Sequence, residues 1–232
     1  MIEVRPFASL GHANHGWLDA NFHFSFADYF NQRRMHWGAL RVWNDDVIAP
    51  RNGFPAHSHA DMEIITYVRA GAISHRDSLG NDGVTRAGDV QVMSAGTGIT
   101  HAELNQEDEP SHSFQLWIMP SRKGEAPRWD TRAFPKDDRA GNFVALASGD
   151  PKDSDALRIN ADAKVLGALI KEGETVEYPL GAGRKAYLVV AAGSVELGGQ
   201  TANTRDGVAI VDEPVISVKA LEDSELVLVD SV

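Results

Sequence analysis

The sequence predicts an all-β chain made of two tandem antiparallel β-barrels, on three observations. First, the apolar residues come in short runs, at 39–43, 62–68, 90–93, 114–119, 143–146, 165–170, 186–190, 208–211, 215–218 and 226–229. These runs are rich in Val, Ile and aromatics. Gly, Asn, Asp and Pro divide them, as at Gly80-Asn81-Asp82-Gly83, Gly198-Gly199 and Glu213-Pro214, which is the pattern of a sandwich or barrel rather than of βαβ units. Second, no segment carries a sustained apolar stripe of helical period, so helices should be few and short. Third, the pattern occurs twice. Tyr67-Val68-Arg69-Ala70-Gly71-Ala72-Ile73 resembles Val189-Val190-Ala191-Ala192-Gly193-Ser194-Val195, and Arg86-Ala87-Gly88-Asp89-Val90 resembles Thr204-Arg205-Asp206-Gly207-Val208.

Taken in order, residues 1–120 read as the N-terminal barrel, carrying the first four apolar runs. Residues 121–140 hold Lys, Arg, Pro, Asp and Gly with little periodic apolar content, and read as a connecting segment. Residues 141–232 read as a C-terminal barrel. In both barrels a strand–Gly–strand hairpin is followed, about fifteen residues later, by a turn and a further strand.

Composition removes several function classes. The 232 residues include 22 Lys plus Arg and 33 Asp plus Glu, a formal charge of −11. The densest basic spots are Arg33-Arg34 and Arg184-Lys185, too sparse for direct recognition of nucleic acid. There is no cysteine, which excludes disulfides, thiolate zinc sites, iron–sulfur clusters and cysteine nucleophiles. Any metal must be held by His, Asp or Glu. Met1-Ile2-Glu3-Val4-Arg5-Pro6 lacks the basic start and apolar run of a signal peptide, and the longest nearly apolar stretch, 186–192, is too short for a membrane span. A cytoplasmic protein without membrane contact is expected.

The chemistry concentrates in two cassettes. The first is Gly53-Phe54-Pro55-Ala56-His57-Ser58-His59, continuing to Glu63; the second runs from Gly88 through Gly96 and Gly98 to His101-Ala102-Glu103 and Asn105. Alternate residues of a strand share a face, so His57 with His59, and His101 with Glu103, can each point to one side. Two such strands opposed in a barrel offer three imidazoles and a carboxylate to one ion, a donor set suited to Fe, Mn, Ni, Zn or Cu. Four protein ligands on an octahedral ion leave two positions open, as a reactive rather than a structural site requires.

These residues resemble the cupin motifs. Motif one falls on His57, His59, Glu63 and Gly71; motif two falls on Gly88, Ser94 (where proline is usual), Gly96, His101 and Asn105. Further blocks narrow the resemblance to the pirin family of bicupins: 11–19, Phe24-Ser25-Phe26-Ala27, 40–46, Asp61-Met62-Glu63, 77–81 and 93–99. The resemblance implies two cupin-type barrels with one divalent transition metal, iron first among the candidates, in the N-terminal barrel on His57, His59, His101 and Glu103. Many other cupins would use Glu63 instead; Glu63 is then expected to orient a ligand. It also implies either a quercetinase, opening a flavonol-like small molecule with dioxygen and using Glu103 as catalytic base, or a metal-dependent regulatory protein with a protein partner.

The chain departs from the family at Ser58, where proline is usual, and at His23, which is displaced relative to the Phe-Ser-Phe block. No histidine follows His112, so the second barrel should hold no metal. His12, His15, His36, His75 and His112 read as loop or strand histidines without a metal role. Gln115, polar on an otherwise apolar strand, needs a partner, and the pocket is one of the places that could supply it. Phe22, Phe24, Phe26, Tyr29 and Phe30 read as core or inter-barrel packing. Gly96 and Gly98 read as turn residues at positive φ.

Overall fold

A computed structural model describes residues 1–232. Strand β1 is Ile2–Arg5. The first module then runs β2 (Gly11–Asn14), β3 (Leu18–Phe22), β4 (Leu40–Ile48), β5 (Gly53–His59), β6 (Glu63–Ala70), β7 (Ala72–Asp77), β8 (Asp82–Arg86), β9 (Val90–Ser94), β10 (Ile99–Leu104) and β11 (Ser111–Ile118). After β12 (Arg128–Arg132), the second module runs β13 (Val144–Ser148), β14 (Leu157–Arg158), β15 (Ala163–Ile170), β16 (Thr175–Pro179), β17 (Lys185–Ala192), β18 (Ser194–Leu197), β19 (Gln200–Asn203), β20 (Gly207–Val211), β21 (Val215–Ala220) and β22 (Ser224–Ser231). The only helices are three single 3-10 turns, at Phe7–Ser9, Gln32–Arg34 and Lys136–Arg139. No helix is long and apolar enough to cross a membrane.

The repeat is real at the level of topology. One barrel pairs a seven-stranded sheet, β12-β9-β6-β11-β4-β3-β2, with a four-stranded sheet, β5-β10-β7-β8. The other pairs β1-β20-β17-β22-β15-β13-β14 with β16-β21-β18-β19, so each strand has a counterpart in the same place. The similar heptapeptides are the β6–β7 and β17–β18 hairpins. Their glycines, Gly71 and Gly193, take φ of +72° and +91°, a conformation that explains why glycine recurs there.

The expected boundaries at residues 120 and 141 do not match the sheets. β1 pairs with β20 of the second barrel, and β12 pairs with β9 of the first. Each module's leading strand closes the other module's sheet. The segment 121–140 therefore contains a strand: Trp129 and Thr131 alternate with Arg128, Asp130 and Arg132 too briefly to register as periodic.

The two large sheets pack face to face, and strand parity assigns each residue a side. On β11, Phe114, Leu116 and Ile118 enter the core between the barrels, whereas Ser113, Gln115 and Trp117 alternate to the other face. On β17, Tyr187, Val189 and Ala191 enter that inter-barrel core, while Ala186, Leu188 and Val190 fill the second barrel. Burial on both faces is why 186–192 is continuously apolar. Trp43 anchors the junction, with ring centroids 5.5 Å from Phe114 and 5.8 Å from Tyr187.

His23, whose role the sequence left open, belongs to this junction. It is fully buried, and its Nδ1 is hydrogen-bonded to the Tyr187 hydroxyl at 2.9 Å. Burial, reinforced by Arg34, Arg5, Arg205 and Arg69, pulls its pKa from 6.5 down to about 3. The ring is neutral when folded but takes up a proton near pH 6.5 when unfolded, so stability present above that pH is lost as pH falls toward 3. The slope is about 1.4 kcal/mol per pH unit. Urea melts at pH 6 and pH 5 should show His23→Gln losing less stability than the parent by about that amount; parallel losses would contradict this.

Candidate metal centre

Strand β10 lies between β5 and β7 and carries both His101 and Glu103. His101 sits directly opposite His57 on β5, and Ile99 opposite His59. The register then shifts: Glu103 faces Phe54, so β5 accommodates an extra residue next to Pro55. Proline cannot donate to the ladder, and a bulge at this position lets strand pairing resume on either side of it. Gly53 completes the approach, since a Cβ there would lie 2.2 Å from the Glu103 carbonyl oxygen. On the outer face Ser58 and Thr100 tie the strands through their hydroxyls at 2.7 Å. Gly96 and Gly98, at φ of +48° and +139°, turn the chain into β10 as expected.

The side chains form two overlapping triads, His57/His59/His101 and His75/His101/Glu103, which share His101 and between them contain the four residues expected from spacing. His75, expected to have no part, is buried here. Its Nε2 lies 3.0 Å from Asp77 Oδ2, its Nδ1 lies 3.5 Å from His101 Nδ1, and its ring stacks on Trp129 at 4.7 Å. The signal was His75-x-Asp77, two polar residues on one face of a strand ending at a turn.

Tautomers follow from these contacts. A carboxylate only accepts, so His75 donates from Nε2 to Asp77, and His101 donates from Nδ1 to His75, leaving the His101 Nε2 lone pair free. His57 donates from Nδ1 to the Pro55 carbonyl at 2.8 Å, which leaves its Nε2 lone pair free as well. The two free Nε2 atoms face each other at 3.1 Å. Paired lone pairs repel unless a cation stands between them. Adjacent nitrogen ligands of an octahedral ion at ~2.1 Å are about 3.0 Å apart, so the residues fit a metal. Burial and the neighbouring imidazoles pull His101 down to about 3, and burial with His57 pulls His59 down to about 4, so both rings are neutral.

Glu103 is held in a polar belt inside the barrel. Gln91 donates to Oε1 at 2.5 Å, Gln115 donates to Oε2 at 2.8 Å, and Thr66 donates to Oε1 at 3.4 Å. Gln115 thus finds its partner at the site. Burial pushes the Glu103 carboxyl up to about 7 against these hydrogen bonds. Glu63, the alternative ligand, lies elsewhere. Parity on β6 puts it on the side of Ile65 and Tyr67, facing the second barrel, where Ser94 donates to its Oε2 at 2.6 Å.

A cavity of about 420 Å³ opens onto His57, His59 and Glu103. Trp17, Leu18, Phe22, Phe26, Phe54 and Trp117 wall it, with Asn44 and Asp46 also in its lining. Phe22 is core as expected, in a cluster against which Phe26 and Tyr29 pack, and Phe22 and Phe26 also wall the cavity; Phe24 is inter-barrel core, and Phe30 is exposed. His12 and His36 make only exposed contacts, with Asp19 and the Gly38 carbonyl.

The second barrel has no such site. Its β18–β21 pairing sets Glu196 opposite Lys219, as β7–β10 sets Ser74 opposite Leu104. Counting outward, Val218 stands where Glu103 stands, Ile216 where His101 stands and Leu197 where His75 stands, all buried in an apolar core. A larger groove of about 770 Å³ beside it is polar, and within it Arg184 is paired with Asp162 and Asp230, and Lys164 with Asp150 and Asp153.

Known proteins share this arrangement. The Pirin family model matches residues 3–118, and the model described as a quercetinase C-terminal cupin domain matches residues 145–231. A pirin-like protein of Caulobacter vibrioides is 62% identical over 231 residues, covering 100% of each chain. A quercetin 2,3-dioxygenase of Escherichia coli is 44% identical over 232 residues, covering 99% of this chain and 98% of its own. The crystal structure of YhhW from Escherichia coli superposes with a TM-score of 0.95 at 42% identity, covering 100% of this chain and 98% of that one. The structure of YhhW in complex with nickel(II) superposes with a TM-score of 0.94, covering 100% and 99%.

Proposed function

The chain belongs to the pirin family, and on that footing we propose that it is a mononuclear, metal-dependent dioxygenase that opens the ring of flavonol-like substrates. The observation that carries the proposal is the pair of free Nε2 lone pairs on His57 and His101, facing each other at 3.1 Å beside an aromatic-walled cavity. His57, His59, His101 and Glu103 would hold one divalent transition metal, with iron and nickel both compatible with three imidazoles and a carboxylate. The relative's nickel(II) complex supports the binding of a divalent ion.

When bound, the metal supplies Lewis acidity toward the 3-hydroxyl and 4-keto oxygens of a flavonol and an open position for dioxygen. The chain's own residues do the rest. Glu103, buried at the inner edge of the site, accepts the 3-hydroxyl proton. Gln91 and Gln115 hold both its oxygens, so the proton is received at a fixed place. Trp17, Phe54 and Trp117 flank the substrate and keep water from the reacting ring. Asp77 and His75 keep His101 in the tautomer that leaves Nε2 available.

The test is a flavonol-bleaching assay on protein loaded with Fe(II) or Ni(II). Quercetin should bleach with uptake of dioxygen in air, remain unchanged under nitrogen, and remain unchanged after the metal is chelated. Bleaching under nitrogen, or undiminished bleaching after chelation, would refute the proposal.

A further inference from the structure

Within the first barrel's polar belt, Thr66, Gln91, Glu103 and Gln115 satisfy one another. Two members of the same belt do not join in. Asn44 and Asp46 stand two residues apart on β4, on the face opposite the buried Trp43 and Asp45, and both are about 3% exposed. Asn44 Oδ1 and Asp46 Oδ1 are enclosed and accept no hydrogen bond. Both residues line the cavity that His57 and Glu103 face. By contrast, Asp45 on the other face is fully engaged by Arg69 and Arg205. Across the ladder Asp46 faces Ala20 and Ser113, whose small side chains crowd it little. Asn44 faces Phe22 and Gln115, an aromatic wall on one side and the residue that positions Glu103 on the other.

Buried acceptors without a donor are costly, and folded proteins leave few of them. An apolar residue of the same shape would fill either position more stably, as Leu166 and Ala168 do at the matching places on β15 in the second barrel's interior. Two adjacent unpaired acceptors on a cavity wall, beside a flat aromatic side chain, are matched by hydroxyl donors carried on a planar ring.

We propose that Asn44 and Asp46 form a subsite that accepts hydrogen bonds from the ring hydroxyls of a polyhydroxylated aromatic substrate, and so selects it over the same skeleton without them. The inference deepens the flavonol reading and rests on it for the orientation of the ring. Discrimination is strong at such a subsite because a skeleton lacking the hydroxyls leaves both buried oxygens unpaired. The same logic predicts a trade between function and stability. Asn44→Leu and Asp46→Leu, near in shape to the originals, remove unpaired buried polar atoms and should raise Tm by about 2–4 °C.

The experiment measures binding under nitrogen, so turnover plays no part. Quenching of tryptophan fluorescence in the metal-loaded protein gives Kd for quercetin and for 3-hydroxyflavone, which lacks the other ring hydroxyls. The parent should prefer quercetin by at least about tenfold, and in each Leu variant the ratio should fall toward one while Tm rises. A parent ratio near one would overturn the proposal. So would a ratio unchanged in both variants, or variants that lose stability or fail to fold, since those outcomes make the two oxygens structural. Failure of the bleaching assay in air would count against the dioxygenase reading and leave this binding ratio to be judged by itself.

Discussion

Glu103→Gln should lower flavonol turnover by about 10²–10⁴-fold, the usual worth of a positioned proton acceptor. The substitution preserves the shape of the side chain and removes its basicity. It also places an amide among donors: Gln91 and Gln115 both point N–H groups at the two carboxylate oxygens, so one of them must turn away. Relief of a buried charge offsets part of that conflict, since burial alone pushes Glu103 up to about 7. The barrel should therefore fold, and oxygen-electrode measurements should find it nearly inactive. Glu63→Gln is the control. Glu63 faces the other barrel and is hydrogen-bonded by Ser94, so its loss should leave turnover within about threefold. Full activity in Glu103→Gln, or a collapse only in Glu63→Gln, would reverse the assignment of the two carboxylates.

Much of the architecture was legible because strand burial writes itself into composition. The short apolar runs divided by turn residues marked the strands, and the longest of them, 186–192, is β17, buried on both faces. The hairpin glycines exposed the duplication, because Gly71 and Gly193 adopt the same left-handed backbone. The exchange of β1 and β12 between barrels was not legible, since pairing partners of short edge strands depend on the assembled sheets and not on local pattern.

At the site, His57, His59 and His101 were legible from period-two spacing, and Glu103 from its place beside His101. What spacing could not resolve was parity on the neighbouring strand. Glu63 belongs to a motif that often ligates metal, yet it alternates with Ile64 and Thr66 and so turns toward the inter-barrel core. His75 was missed because its meaning depends on β7 lying beside β10, a contact between residues distant in sequence. Asn44 was missed for a related reason: a polar residue in a strand is informative only once the face it occupies is known to be closed.

His101→Leu should empty the site. His101 is the one imidazole common to both triads, and Asp77 and His75 are spent on fixing its tautomer. Leucine removes that nitrogen, leaves the His57 Nε2 without its facing partner, and breaks the hydrogen-bonded line to Asp77. Because burial already holds the ring neutral, the fold gives up no ion pair, and the apolar replacement should be tolerated in the barrel wall. The decisive measurement is elemental analysis of protein loaded with a single divalent transition metal and then dialysed. The parent should retain about one ion per chain, and His101→Leu less than about a tenth of one. A parent that retains no metal, or a His101→Leu variant that retains a full equivalent, would contradict a metal centre built on His101.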